Sequence, residues 1–242
     1  MNGTTLAMKR TLARLRGRRL WTVLGLSTVL AALPVADRVA AARAEARLAD
    51  RIAHRQSAVV GTPQVRIDAF PFLLSAAEGT FSRVEVRADA VTGEGRPVQA
   101  AVELRDVREE AGGYTAARAD ARFTAPFGSL VTGLGPDASL SAAGSRQVRM
   151  DRVVLGLPLS VTAELRLSGR TVTMVPVAAS FAGRQIDPAD PRIAQVFAGR
   201  ERAVPELPAG LGPTDVSVTG AGVTLHARGD DVRLDRDPSG TV

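Results

Sequence analysis

The chain lacks most of the residues on which common enzyme and metal sites depend. Its 242 residues include no cysteine and only two histidines. Without cysteine there is no disulfide framework, no thiolate nucleophile and no zinc–sulfur site. His54 and His226 both fall on predicted polar faces, so we expect neither a histidine metal site nor a nucleophile–base pair. No P-loop, G-x-G-x-x-G, G-x-S-x-G or H-E-x-x-H motif occurs. We therefore expect no catalytic residues, no metal, no cofactor and no enzyme.

Acidic residues are absent from the N-terminal part of the chain, where the excess positive charge lies. The formal net charge is +6 and the pI is about 11.1. Six cations stand in the first 19 residues, and the first acidic residue is Asp37. Removing these six from the 31 basic residues leaves 25, equal to the 25 acidic residues. The remainder is balanced and has no clustered basic groove for phosphates, so we expect no nucleic-acid binding.

The six cations directly precede an uncharged segment, Leu20–Ala36. A basic region followed by an apolar one is typical of a signal peptide or a signal anchor. As a helix it would be about 25 Å long, slightly short of the roughly 30 Å hydrocarbon core. Pro34 makes Pro34-Val35-Ala36 a poor cleavage site, which favours an uncleaved anchor. Either way, we expect residues 1–36 to be a leader and 37–242 to be one extracytoplasmic domain at the plasma membrane.

The pattern of the domain predicts one helix followed by many strands. Asp37–Gln56 has apolar residues at helical spacing, with Asp37 as the expected N-cap. Alternation then predicts strands such as Arg83–Ala90, Leu159–Leu167 and Thr171–Phe181. A second helix is expected at about Pro191–Ala198, and a tight turn at Gly229-Asp230. The sum is an α+β fold with a long antiparallel sheet that curves around a helix.

The connection Phe70-Pro71-Phe72-Leu73-Leu74 is unusually apolar for a loop between two strands. Loops usually lie on the surface, and strand pairing does not require such a segment. Gly79 ends the segment and Phe81 follows. The run is therefore either a plug at the end of the core or part of an apolar binding site.

This region resembles the LmeA-like phospholipid-binding family of high-GC Gram-positive cell envelopes. The family carries a Gly/Ala-Phe-Pro-Phe-Leu run, then Gly-x-Phe and a V-x-V strand, here Ala69–Leu73, Gly79–Phe81 and Val84–Val86. Leu207-Pro208-x-Gly210-Leu211 adds a weaker similarity. The resemblance implies a tubular lipid-binding (TULIP-like) fold with an apolar tunnel, and phospholipid and membrane as partners. It also implies a role in cell-envelope lipid or lipoglycan maintenance. Without a lipid cavity, the alternative is a non-enzymatic structural or interaction domain of the envelope.

A strand with small inward residues offers a second candidate region. Its predicted inner face carries Ala117, Ala119 and Ala121, and small side chains leave volume that another group must fill. Either a helix lies close to the strand there, or a cavity exists. The residues expected to contact lipid are the aromatic and leucine side chains of the apolar run together with these alanines: Phe70, Phe72, Leu73, Phe81, Ala117, Ala119 and Ala121.

Overall fold

The computed structural model describes residues 33–54, 57–111, 113–132, 134, 137–190, 202–204, 207 and 210–235. The three helices in this part of the chain are α1 at residues 33–54, α2 at Phe72–Glu78 and α3 at Phe127–Val131. The strands are β1 Val59–Asp68, β2 Thr80–Val91, β3 Pro97–Glu110, β4 Gly113–Pro126, β5 Ser139–Gly144, β6 Gln147–Val154, β7 Leu157–Ser168, β8 Thr171–Phe181, β9 Arg184–Ile186, β10 Arg202–Ala203, β11 Gly212–Thr219 and β12 Gly222–Asp235.

The strands form two antiparallel sheets, where the sequence pattern predicted a single long one. Sheet A has the order β1-β2-β3-β4-β12-β11, and sheet B has the order β10-β8-β7-β6-β5 with β9 beside β8. Antiparallel pairing throughout confirms the predicted sheet type. Period-two alternation identifies strands but does not specify which strand pairs with which, so the division into two sheets could not be read from it.

Four strands of sheet A share a bend that shifts which residues face inward. Inward positions on each strand are normally two apart, but here they are three apart in the pairs Phe81/Val84, Leu104/Val107, Ala116/Ala119 and Gly229/Val232. The strand pairing is interrupted along one row between them: Ser82, Asp106, Ala117 and Asp231. Asp106 and Asp231 both have positive φ, at 51° and 50°. We call this row the bend row.

The bend row makes one prediction wrong. Ala117 is exposed, and the residue buried in its place is Ala116. Ala119 and Ala121 face inward as expected. Strict alternation through the strand would put Ala117 and Ala119 on one face, but the three-residue step between Ala116 and Ala119 moves Ala117 to the outer face.

The last strand is also different from the prediction. Gly229-Asp230 does not form a tight turn; both residues lie inside β12, which continues without a break from Gly222 to Asp235. A Cβ on Gly229 would lie 2.3 Å from the carbonyl oxygen of Gly210. The glycine is therefore required by the close approach of another backbone segment, and not by a turn.

Helix α1 covers the inner face of sheet A. Ala41 is buried in one cluster with Ile67, Ala116 and Ala119, and Ala44 packs against the same cluster. Glu45 accepts a hydrogen bond from the backbone N–H of Ile67 at 2.8 Å, so α1 also satisfies a donor of the edge strand β1. The small side chains of β4 thus allow a helix to approach closely, which was one of the two interpretations of the alanine-rich strand.

Sheet B meets sheet A at the edge strand β11. Val216 and Val218 of β11 are buried with Val148 and Leu165 of sheet B. The backbone N–H of Val218 donates to the carbonyl of Ser145 at 2.7 Å, in the turn between β5 and β6. The contact joins β11 to one end of the β6–β7 hairpin.

Two predicted segments lie outside the described residues. They are the helix at Pro191–Ala198 and the leader as far as residue 32. No helix of the part that the structure describes combines the length and apolarity needed to cross a bilayer.

Candidate functional site

The apolar run between β1 and β2 has one buried side chain, that of Phe72, and four exposed ones. Phe72 is only 6% exposed and lies in the core of sheet A, where its ring centroid is 6.2 Å from that of Phe81. Phe70 is 70% exposed, and Leu73 and Leu74 are about half exposed. Phe72 thus acts as a plug at the end of the core, whereas Phe70, Leu73 and Leu74 form an exposed apolar surface. We call Phe70, Leu73 and Leu74 the α2 patch.

The α2 helix forms because its two ends are satisfied in different ways. Pro71 precedes its first turn with an extended backbone, and the Phe70–Pro71 peptide bond is cis. At the other end Gly79 adopts a left-handed conformation, φ 65°, and its N–H donates to the carbonyl of Ser75. A Cβ at Gly79 would also come within 2.9 Å of the Glu109 Cβ. Gly79 therefore ends the helix and lets β3 pass close by.

The first turn of α2 is held by a side chain from α1. The Asp37 carboxylate accepts hydrogen bonds from the backbone N–H of Phe72 at 3.0 Å and of Leu73 at 2.8 Å. Asp37 was expected to cap its own helix, but residues 33–36 are already helical and its carboxylate caps α2 instead. The hydrogen bond from Leu73, followed by that from Phe72, lowers the pKa of Asp37, while its burial opposes this. The buried carboxylate therefore stays ionised at neutral pH.

A groove of about 350 Å³ lies beside α2. Both apolar and polar residues line it: Ala69, Phe70, Ser75, Thr80, Phe81, Ser82, Asp106, Val107 and Arg108. Ser82 and Asp106 belong to the bend row, so the interruption in strand pairing forms part of the groove wall. The sequence allowed a cavity at the inner face of the alanine-rich strand, which is β4. This groove lies elsewhere, at the end of sheet A beside α2.

Two arginines stand close to the α2 patch. The guanidinium of Arg38 lies 6.0 Å from the centroid of the Phe70 ring, a distance suited to a cation–π contact. Arg108 lines the groove together with Phe70. Apolar and cationic side chains therefore occur side by side, which suits a ligand with an apolar part and an anionic part.

The structure does not bring all seven predicted contact residues together. Phe70 and Phe81 line the groove, and Leu73 lies on the exposed side of α2. Phe72, Ala119 and Ala121 are buried in the interior, and Ala117 is exposed on β4. Sequence patterns did not indicate Val107 and Arg108, because the pairing of β2 with β3 that places them beside Phe81 and Thr80 is not visible in local periodicity.

The described residues contain no group of three or more histidines or acidic residues placed to hold a metal ion. His54 is exposed, as predicted, with its Nδ1 2.7 Å from the carbonyl oxygen of Asp50. His226 was predicted to lie on a solvated polar face, but it is half-buried, and its Nε2 lies 2.8 Å from Ser217 Oγ. The N–H of the next residue, Val218, donates to Ser145. The Val218 N–H is therefore not oriented as an oxyanion donor for Ser217. The contact between Ser217 and His226 is explained as a cross-strand hydrogen bond.

Comparison with known proteins identifies one family. A family model described as LmeA-like phospholipid-binding matches residues 35–228, a range that contains most of α1, the α2 groove, sheet B and sheet A as far as Arg228 in β12. No curated protein and no solved structure is similar enough to this chain to be matched.

Proposed function

The chain belongs to the LmeA-like phospholipid-binding family, and we propose that it holds phospholipid at the α2 groove and the α2 patch. The observation that carries this placement is the 70% exposure of Phe70 next to a groove that Phe70 itself lines. Phe72 is buried in the core of sheet A, whereas Phe70 is left exposed. A large exposed aromatic beside a cavity is typical of a binding site.

Acyl chains account for most of the binding free energy in this proposal. Phe70, Phe81 and Val107 present an apolar wall, and each buried methylene contributes roughly 0.8 kcal/mol. A few methylenes therefore stabilise the complex by several kcal/mol without any polar contact. The exposed Leu73 and Leu74 extend this wall outside the groove.

The phosphate of the head group would contact the arginines beside the groove. Arg108 is the cation of the groove lining, and Arg38 lies over the outer edge at Phe70. Guanidinium groups bind phosphate oxygens through paired hydrogen bonds. Asp106, in the same lining, carries a charge of the opposite sign and would disfavour a second anionic group.

The arrangement of α1 on sheet A supports a TULIP-like organisation of this part of the molecule. In such a fold a strongly curved sheet surrounds a helix and leaves apolar space for lipid. Here α1 covers the inner face of sheet A, and strand pairing is interrupted at the bend row in four of its strands, as expected where a sheet curves. The lipid would enter at the end of the sheet where α2 closes the core.

The proposed location is the extracytoplasmic side of the plasma membrane. The six cations before Leu20–Ala36 support export or anchoring, since cytoplasmic segments carry the positive charge. There the protein would contribute to cell-envelope lipid or lipoglycan maintenance as a binding protein and not as an enzyme.

The test is organic extraction of the purified full chain followed by mass spectrometry of the lipid. Phe70→Ser should lose most of the copurified phospholipid, whereas Val60→Ser, an exposed valine on β1, should retain it. Both variants keep the leader, so lipid bound by the leader is the same in each. Equal phospholipid in the two variants would show that the site is elsewhere. Absence of phospholipid from the unmodified chain would favour the structural or interaction domain.

A further inference from the structure

The turn between β6 and β7 carries a leucine where turn geometry favours a polar residue. Its central residues, Leu155 and Gly156, both have positive φ, at 53° and 78°. Two-residue turns with this geometry favour Asn-Gly, because asparagine adopts the left-handed conformation more easily than leucine does. Leu155 is nevertheless present, and it is 95% exposed. Neither the turn nor the core accounts for it.

Two further apolar side chains are exposed at the same turn. Val153 and Leu157 are both about half exposed. Their neighbours Val154 and Leu159, in contrast, pack into the core of sheet B. The β8–β9 turn lies alongside this turn, because the backbone N–H of Ala182 donates a hydrogen bond to the carbonyl of Pro158 at 2.8 Å. We call Val153, Leu155 and Leu157 the hairpin tip.

Two arginines lie at the ends of the two neighbouring hairpins. Residues 152–158 and 181–186, which form the ends of the two neighbouring hairpins, contain Arg152 and Arg184 and no acidic residue. The acids that directly adjoin these segments are Asp151, which is paired with Arg149 at 3.1 Å, and Asp187, whose Oδ1 accepts a hydrogen bond from the backbone N–H of Ala189. An apolar projection flanked by arginines complements a surface whose interior is hydrocarbon and whose head groups are anionic.

We propose that the hairpin tip inserts into the surface of an anionic phospholipid bilayer. Three side chains on a narrow turn expose far less than the roughly 800 Å² per partner of a standard protein interface. Hydrocarbon, by contrast, accepts apolar side chains without a complementary shape. The tip lies at the end of β6 and β7 remote from Ser145 and Leu165, where sheet B meets sheet A. The surface is therefore separate from the α2 groove and does not depend on it.

The absence of cysteine from the chain permits a direct test with single spin labels. A nitroxide is placed at Val153→Cys on the hairpin tip or, as control, at Val60→Cys on β1; the two valines are 50% and 56% exposed. The labelled full chain is reconstituted in vesicles of equal parts phosphatidylcholine and phosphatidylglycerol, and in vesicles of phosphatidylcholine alone. Power saturation then measures collisions of each label with oxygen, which partitions into hydrocarbon, and with a water-soluble nickel chelate.

We expect the label at residue 153 to gain oxygen collisions and lose nickel collisions by several-fold in the anionic vesicles, with a smaller change in phosphatidylcholine. Adding Leu155→Asn should remove most of this change. Because Asn-Gly suits the turn, this variant should melt at or above the temperature of the unmodified chain, which separates loss of insertion from unfolding. Equal nickel accessibility of the labels at residues 153 and 60 in both vesicles would overturn the proposal. So would insertion that survives Leu155→Asn, or occupation of the tip by a second copy, seen as spin–spin broadening at residue 153.

Discussion

Asp37 and Leu73 are 36 residues apart in sequence, yet the carboxylate of the first accepts a 2.8 Å hydrogen bond from the backbone N–H of the second. The same carboxylate accepts from Phe72, so one buried charge connects α1 to the first turn of α2. This connection fixes the direction in which α2 leaves β1. Phe72 consequently enters the core while Leu73 stays outside. The α2 patch and its groove thus depend on a residue of another helix.

Replacing Asp37 by alanine should loosen α2. Two backbone N–H groups would lose their acceptor, and loss of a helix cap typically lowers the melting temperature of a chain of this size by about 2–4 °C. Asp50→Ala, an exposed position on the same helix, is the matched control and should change little. Thermal melts followed by circular dichroism measure both. A melt equal to that of the control would show that the Asp37 contact does not stabilise α2.

Lowering the pH should remove the stabilisation that the Asp37 carboxylate gives to the fold. Since the hydrogen bonds lower the pKa of Asp37 below its ordinary value of 3.8 in the folded protein, the carboxylate stabilises the fold fully above that value. The stabilisation is lost as the pH falls through the lower folded-state pKa. The difference in melting temperature between the unmodified chain and Asp37→Asn should therefore be largest near neutral pH and narrow below about pH 3.8. A difference that is constant with pH would exclude the charge as its cause.

Truncation of Phe72 should lower the stability of the fold, whereas truncation of Phe70 should lower lipid retention. Truncating buried Phe72 to alanine should cost about 3–5 kcal/mol of unfolding free energy. Truncating exposed Phe70 should leave the unfolding free energy within about 0.5 kcal/mol while reducing bound phospholipid. Urea unfolding and lipid extraction on the two variants give the comparison. A larger loss of unfolding free energy for Phe70→Ala than for Phe72→Ala would contradict the orientation of α2.

Leucine at two adjacent positions of β4 tests the bend row. Ala116 is 0% exposed beneath α1, so Ala116→Leu should overpack the core and cost about 1–3 kcal/mol. Ala117→Leu points outward and should be nearly neutral. Denaturant midpoints of the two proteins decide between this register and uninterrupted alternation, in which position 117 would be the sensitive one.

Gly229→Ala should destabilise the packing of β12 against the segment at Gly210. The added Cβ would stand 2.3 Å from the Gly210 carbonyl oxygen, and moving backbone apart in a packed region costs about 1–3 kcal/mol. Gly220→Ala is the control, because no atom lies within 4 Å of a Cβ there. Equal melting temperatures for the two variants would show that the segment at Gly210 does not lie against β12.

Local sequence determined the kind of secondary structure and little beyond it. Alternation of apolar and polar residues depends only on neighbours along one strand, so Thr171–Phe181 was predicted with the bounds that β8 has. Helical spacing likewise predicted α1 from Ala41, Ala44, Leu48 and Ile52. The apolar run before Gly79 marked the α2 region, and the quoted motifs predicted the family that the matched model shows.

Only the tertiary structure determined which residues face the core at the bend row and which residues contact segments that are distant in sequence. The bend row arises where four strands lose pairing together, so no single strand reveals that Ala116 replaces Ala117 as the inward residue. Gly229 looks like a turn residue in sequence, but it serves a close approach by Gly210, which is distant along the chain. Asp37 was assigned to its own helix because capping rules are local, whereas its partners come from α2. Each of these outcomes depends on contacts between residues far apart in sequence, and local patterns carry no information about such contacts.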